Sequence, residues 1–277
     1  MEFIDNQKII ELKIKAKDIR KSIVQMLSNA GSGHTAGALG MTDIFTYLYF
    51  HGLKHDPKNP NWSERDRLVL SNGHICPVLY ATMAHSSYFE IEELNSLRKF
   101  GSRLQGHPHR EFLEMLETSS GPLGEGLSQA VGMAIALNLN SNKETTIYCV
   151  VGDGELNEGQ NWEAIMLGAK ERLDNLIVIV DRNNIQIDGD TETIMPLNDL
   201  ASKWDSFNWN VEIVDGHNFK EIDQAFYNIK KIKGKPSVII ANTIPGKGVK
   251  EWENDYRWHG KAPSKKEAEM AIKELDN

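Results

Sequence analysis

Hydrophobic positions along the chain fall into two alternating kinds of run. Residues 7–30 carry Ile9, Leu12, Ala16, Ile19, Ile23 and Leu27 at helical spacing and stop at Gly31, which predicts a long amphipathic helix with a glycine terminator. Shorter, continuous apolar runs lie at 67–70, 146–151, 176–181, 209–214 and 236–241, and several stop abruptly at an acidic or amide side chain. Runs of that length and β-branched content predict strands buried on both faces of a parallel sheet. Helical patterns occupy 44–50, 75–84, 90–100, 127–139, 158–172 and 219–232. A charged tail helix over 264–275 opens with the capping pair Ser264 and Glu267. The alternation predicts an α/β fold, one doubly wound parallel sheet with helices on both faces, forming a single domain over 1–277 with a C-terminal helical tail. The helix at 127–139 is rich in Ala, Gly and Met, so it is expected to be central, in close contact with its neighbours.

The polar residues at the strand ends carry the candidate chemistry. Gly152, Asp153 and Gly154 follow one apolar run, and Asn183 and Asn184 follow the next. The 28 residues between Gly154 and Asn183 are enough for one βαβ unit. Asp153 and Asn183 are therefore expected on the same edge of the sheet, where open α/β sheets bind ligands. An Asp carboxylate, an Asn carbonyl and a nearby backbone carbonyl are hard oxygen ligands, suited to a Mg²⁺ ion that keeps positions for phosphate oxygens and water. Gly152 and Gly154 allow a diphosphate to approach the backbone closely. A bare Gly-Asp-Gly is ordinarily only a turn; two half-sites at strand ends with this interval say more.

Histidines recur in glycine-flanked loops. His34 sits among Gly31, Gly33, Gly37 and Gly40, and His74 follows Asn72 and Gly73 at the end of the 67–70 run. His107 lies between Gly106 and Pro108, and His259 precedes Gly260 after a Trp-rich loop. Such loops leave room for a ligand. His109 fits none of these patterns and is assigned a structural role.

Composition narrows the classes. A chain of 277 residues, 40% apolar and 25% charged, can bury a full core and is ordinary for a soluble protein. A net charge of −8 without any basic run gives no support for a nucleic-acid or membrane partner. Two cysteines, Cys76 and Cys149, in apolar contexts point to a reducing compartment. With no secretion signal and no apolar run of membrane-spanning length, a cytoplasmic location is expected.

Together these loops resemble the N-terminal, diphosphate-binding portion of transketolase, over nearly the whole chain. The carriers are Ser32-Gly33-His34, Leu70 to His74, Gly106-His107-Pro108, Gly121 to Gly124, Gly152-Asp153-Gly154, Asp181 to Asn184, Ile187-Asp188-Gly189 and His259 to Pro263, in family order. The resemblance implies thiamine diphosphate and Mg²⁺ as cofactors, with Ca²⁺ or Mn²⁺ as alternatives. It implies that Asp153, Asn183 and the Ile185 carbonyl ligate the metal and that Gly152, Gly154 and His74 meet the diphosphate. Gly121, Leu123 and Ile187 would line the ring-binding region. His34, His107 and His259, with His74, would serve the sugar's hydroxyls and reacting carbonyl. Imidazoles suit the proton transfers of ketol exchange because their pKa lies near operating pH. Glu158 is expected beside the cofactor and, with Glu163, in an acidic network between two copies.

There are two departures. Thr35 and Ala36 stand where many relatives have Pro-Gly. In addition, transketolases continue into a domain that binds the pyrimidine ring and supplies the activating glutamate, and this sequence ends before it. The expectation is a split enzyme: an N-terminal subunit transferring a two-carbon ketol unit between sugars, active only with a separate C-terminal subunit. An α2β2 heterotetramer is expected, using the helix at 127–139 and Trp162 as contacts. Alternatives are the alpha subunit of a 2-oxoacid dehydrogenase, a fragment of a deoxyxylulose-phosphate synthase, and a non-catalytic cofactor-binding regulator.

Overall fold

The computed structural model describes residues 3–140 and 144–276. Helix α1 (Asn6–Ala30) opens the chain, with the Asp5 carboxylate accepting the Lys8 N–H at 2.7 Å as its N-cap. It ends where Gly31 turns left-handed at φ 67° and donates its N–H to the Leu27 carbonyl at 2.9 Å. Glycine takes that turn at little steric cost. The stripe of Leu12, Ile19, Ile23 and Leu27 is fully buried, each side chain contributing about 1.5–3 kcal/mol on transfer from water.

Next come α2 (Ala36–Gly40), α3 (Thr42–Tyr47), β1 (Arg67–Leu70), α4 (Cys76–His85), α5 (Glu125–Leu139), β2 (Ile147–Gly152), α6 (Gly159–Lys170) and β3 (Leu176–Arg182). A two-residue hairpin, β4 (Ile185–Gln186) and β5 (Gly189–Asp190), leads to α7 (Thr191–Ile194) and α8 (Leu200–Ser206). The chain closes with β6 (Asn210–Asp215), α9 (Phe219–Ile229), β7 (Ser237–Asn242) and α10 (Lys265–Asp276). The expected capping pair of α10 forms in both directions, Glu267 N–H to Ser264 Oγ and Ser264 N–H to Glu267 Oε2.

Five strands pair in parallel in the order β1-β2-β3-β7-β6, the doubly wound sheet that the apolar runs predict. Alternate side chains serve two separate cores. Tyr148, Val150, Ile177, Ile179 and Ile239 pack against α1, α3, α4 and α9. Ile147, Cys149, Val151, Val178 and Val180 pack against α5, α6 and α8. Burial on both faces is why these strands read as unbroken apolar runs. The sheet's carboxyl edge is thereby rigid, and the loops that leave it carry the site. Among the described residues, no helix is long and apolar enough to cross a membrane.

Three expectations need correcting. Residues 90–100 do not form a helix: a short 3-10 turn spans Ile91–Ser96, and Arg98 reverses the chain at φ 61°. Only Leu94 and Leu97 of that stretch are buried, too few to hold a helix down. The glycine-dense segment 31–40 is helical in its second half: Ala36 to Gly40 are all buried, and its two alanines and two glycines let neighbours pack closely around Leu39. Finally, α5 is not central. It covers one face of the sheet, and its outer side is open at Gly132 and at Leu139, which is 80% exposed.

Candidate active site

β2 and β3 run in register, Gly152 opposite Asp181, and the Asp153 N–H donates to the Asp181 carbonyl at 3.1 Å. The parallel ladder thus sets the two strand-end loops side by side, Asp153 leaving β2 and Asn183 leaving β3. A cleft of about 370 Å³ opens over them. Every candidate from the sequence lines it: His34, His74, His107 and His259 at one end, Gly152, Asp153, Gly154, Glu158, Asn183 and Ile185 at the other, with Gly121, Leu123 and Ile187 along the walls. His109 is absent from the lining and lies against the Phe112 ring, 4.8 Å between centroids.

At the acidic end almost every polar atom has a partner. Asp153 is 1% exposed. Its Oδ2 accepts from the Arg182 guanidinium at 3.0 Å and the Asn184 N–H at 2.8 Å, while Oδ1 accepts only the Gly154 N–H at 2.7 Å. Asn183 Nδ2 donates to Asp181 at 2.8 Å, which turns Asn183 Oδ1 toward the Ile185 N–H at 3.0 Å. Burial pushes the Asp153 carboxyl up to about 6, against the opposing pull of Arg182 and the two backbone donors. Burial likewise pushes Asp181 up to about 7, with the Thr243 hydroxyl opposing and the Asp153 charge adding to the rise. Two desolvated carboxyls beside an open cleft are the setting a cation stabilises. Asp153 Oδ1, Asn183 Oδ1 and the Ile185 carbonyl offer a hard-oxygen set that fits a small divalent ion. Among the described residues no group of three or more His, Cys, Asp or Glu side chains is placed so as to hold a metal ion, so a site here draws on amide and backbone oxygens beside the carboxylate.

The histidine end differs. The His34 ring lies 5.0 Å from His74, 5.4 Å from His259 and 6.2 Å from His107, centroid to centroid. All four are held below the usual histidine range, chiefly by burial. His34 falls to about 4, with His259, Arg98 and His107 adding repulsion. His74 falls well below, and His107 and His259 are also lowered. They are therefore neutral at pH 7, each able to donate from one nitrogen and accept at the other. His34 Nδ1 is buried without a hydrogen-bond partner, and so is Asn72 Oδ1 on the same cleft.

The loops carrying these rings are tied to one another. Cys76 Sγ and Tyr80 Oη donate to the carbonyls of Gly106 and Gln105 beside His107. The departure at Thr35 has a structural use: its buried hydroxyl donates to the Lys261 carbonyl at 2.5 Å, joining the His34 loop to the His259 loop. A proline there lacks that donor. Glu155, which sequence spacing leaves without a role, pins three loops at once. Its buried carboxylate accepts from the Ser71 hydroxyl, from Gly124 N–H at 2.7 Å and from Gly152 N–H at 2.9 Å. Asn72 lies inside the Leu70 to His74 motif, which was the available signal for it; Glu155 directly follows the Gly152-Asp153-Gly154 motif, but its ties to Ser71 and Gly124 join residues far apart in sequence.

The sequence pattern of the transketolase thiamine diphosphate-binding domain matches residues 12–275. The chain belongs to the transketolase family. It is 43% identical to the 6-deoxy-6-sulfo-D-fructose transketolase subunit SqwG of Clostridium sp. (strain MSTE9), over 96% of this chain and 97% of that one. It is 37% identical to an apulose-4-phosphate transketolase subunit of Phocaeicola vulgatus, over 95% and 93%. Among solved structures, transketolase from Leishmania mexicana superposes with a TM-score of 0.91 at 30% identity, covering all of this chain. The chain spans only 42% of that protein. Membership of the transketolase family leaves the 2-oxoacid dehydrogenase reading without support.

Proposed function

We propose that this chain is the diphosphate-binding subunit of a two-chain transketolase, moving a two-carbon ketol unit from a ketose, a sugar phosphate or related sugar, to an aldose. The observation that carries this reading is the polarity of one cleft, with hard oxygen ligands at one end and four neutral imidazoles at the other. Asp153 Oδ1, Asn183 Oδ1 and the Ile185 carbonyl would hold Mg²⁺. The backbone at Gly152 and Gly154, with His74, would receive the diphosphate, with Glu158 beside it. Gly121, Leu123 and Ile187 would line the ring region. Thiamine diphosphate, when bound, supplies a carbon nucleophile and an electron sink. His34, His107 and His259 then hold and move protons at the sugar's hydroxyls and carbonyl.

The second subunit of this proposal carries the pyrimidine-binding domain. Relatives that align along nearly their full length are named as transketolase subunits, and the chain's own surface supports a partner. A mainly apolar groove of about 480 Å³ runs between Leu156, Trp162, Met195, Leu197 and Phe207, next to the cleft at Asn157. Leu139, Met166 and Met195 are exposed on the same α5–α6–α7 side, and Glu163 is exposed on α6. A stable assembly needs large apolar contact of this kind. Two copies of each chain, an α2β2 arrangement, would bring the Glu158 and Glu163 pairs together.

Size-exclusion chromatography of the chain alone and mixed with a pyrimidine-domain subunit tests the assembly, and a ketol-transfer assay on the same fractions tests the activity. A larger complex that alone is active is expected. Ketol transfer by the isolated chain at the rate of the mixture contradicts the split reading, and inactivity with every such partner returns the non-catalytic one.

A further inference from the structure

We infer that Thr35 is a positioning residue that fixes the His34 and His259 rings against each other; this rests on the reading that both rings serve the sugar in ketol transfer. Thr35 occupies the N-cap of α2, where a threonine hydroxyl ordinarily accepts an amide N–H of its own helix. Here its side chain caps nothing. The hydroxyl donates instead to the Lys261 carbonyl at 2.5 Å, joining the residue after His34 to the residue two beyond His259. Among the described residues no second hydrogen bond joins 31–40 to 259–263.

The two sides of that bond are built differently. α2 is wholly buried, and its glycines meet their neighbours at close range: a methyl on Gly37 would lie 2.7 Å from the Ile75 side chain, and one on Gly40 3.0 Å from the Ile244 carbonyl oxygen. The Gly246 N–H also donates to the Ala36 carbonyl at 2.9 Å. Packed this tightly, α2 is a fixed reference. The segment 259–263 has no helix or strand of its own. Lys261 Nζ donates to Glu267 at 2.8 Å, and the preceding Trp258 stacks on Trp252 at 4.2 Å. Neither contact refers the segment to His34; the Thr35 hydroxyl does.

The tether bears on the reacting groups. His34 and His259 meet edge to face, 5.4 Å between centroids at 89°. The His34 ring also lies against Gly260, where an added methyl would sit 3.7 Å from Nε2. The rings arrive from loops far apart in sequence, so their spacing depends on what joins those loops. Proton transfer tolerates little misalignment: a displacement of about 1 Å can cost about 10²-fold in rate. Exchanging the Thr35 hydroxyl for a methyl keeps the side chain's shape, removes the tether and leaves the Lys261 carbonyl without its donor.

Two measurements on Thr35→Val test this. In the full-length chain alone, NMR titration follows the His34 imidazole. Burial first, then His259, Arg98 and His107, hold it at about 4, with the His74 ring 5.0 Å away. Releasing the His259 loop admits water and relaxes the repulsion, so the His34 midpoint is expected to rise toward 6.5 in Thr35→Val. Thr35→Ser keeps the donor and is expected to titrate as the parent does. In the two-chain enzyme, kcat is expected to fall about tenfold in Thr35→Val with cofactor affinity unchanged, and to recover in Thr35→Ser. Thr35→Ala, which also lacks the hydroxyl, decides the matter if Thr35→Val does not fold. A His34 midpoint that stays at the parent value, or an unchanged kcat, overturns the inference and leaves the ketol-transfer reading standing. Absence of ketol transfer by the parent chain with every pyrimidine-domain partner overturns that reading itself, whatever the titration shows.

Discussion

The two ends of the cleft are built on different principles. The acidic end rests on the sheet: Asp153 and Asn183 each begin where a buried strand ends, and their polar atoms are held by neighbours, with one lone pair of Asp153 Oδ1 left open. The histidine end is assembled from loops drawn from across the chain, and it leaves His34 Nδ1 and Asn72 Oδ1 without partners. A saturated, rigid end suits a charge that stays put, such as a metal-bound diphosphate, because preorganised ligands need no rearrangement. Unpaired buried polar atoms are costly in the free protein. Neutral imidazoles lining the cleft, in contrast, can donate and accept protons as a substrate bearing hydroxyls arrives. One cleft thus separates holding from reacting.

Variants at the two ends should fail differently. His34→Ala and His259→Ala are expected to lower kcat/KM of the two-chain enzyme by about 10²–10⁴-fold, the range of a lost proton-transfer group, with cofactor affinity little changed. Calorimetry alongside the assay checks the split, and equal losses in both would erase the distinction between the ends. Glu155→Ala strands three donors, from Ser71, Gly124 and Gly152, and is expected to cost about 3 kcal/mol in denaturant unfolding. A smaller effect is expected from pH. The His34 imidazole is lowered from 6.5 to about 4 in the folded chain, so between these values the unfolded chain binds the extra proton. Its stabilising share is complete above pH 6.5 and drains away as pH falls toward 4. His34→Asn should therefore flatten the fall in unfolding midpoint between pH 7 and pH 5, and a fall as steep as the parent's contradicts a neutral His34. Least of all, Gly121→Ala should leave stability within about 0.5 kcal/mol, since the added methyl meets only the His107 ring at 4.0 Å. It should still weaken cofactor binding, because the methyl projects into the cleft.

Much of this was legible in the sequence because the informative parts obey short-range rules. Strands buried on both faces must be apolar throughout, so 146–151 and 176–181 announce the sheet, and the abrupt Asp153 and Asn183 announce its functional edge. The glycines around His34 and His74 marked loops with room for a ligand. What stayed hidden depends on long-range packing. Residues 90–100 have helical composition, yet tertiary contacts anchor only Leu94 and Leu97 and the chain turns at Arg98. The β4–β5 hairpin is too short to leave a period-2 signature. The ties of Glu155 to Ser71 and Gly124, and of Arg182 to Asp153 and Glu192, join residues brought together by the fold.

The claim beneath all of this is that two strand-end loops of this one chain grip a divalent cation under a diphosphate. Calorimetric titration of thiamine diphosphate with Mg²⁺, on the parent chain and on Asp153→Ala, tests it most directly. The account predicts cation-dependent binding to the parent and a loss exceeding about 100-fold in the variant, beyond what removing an outer partner causes. Equal affinity in the two proteins would contradict it.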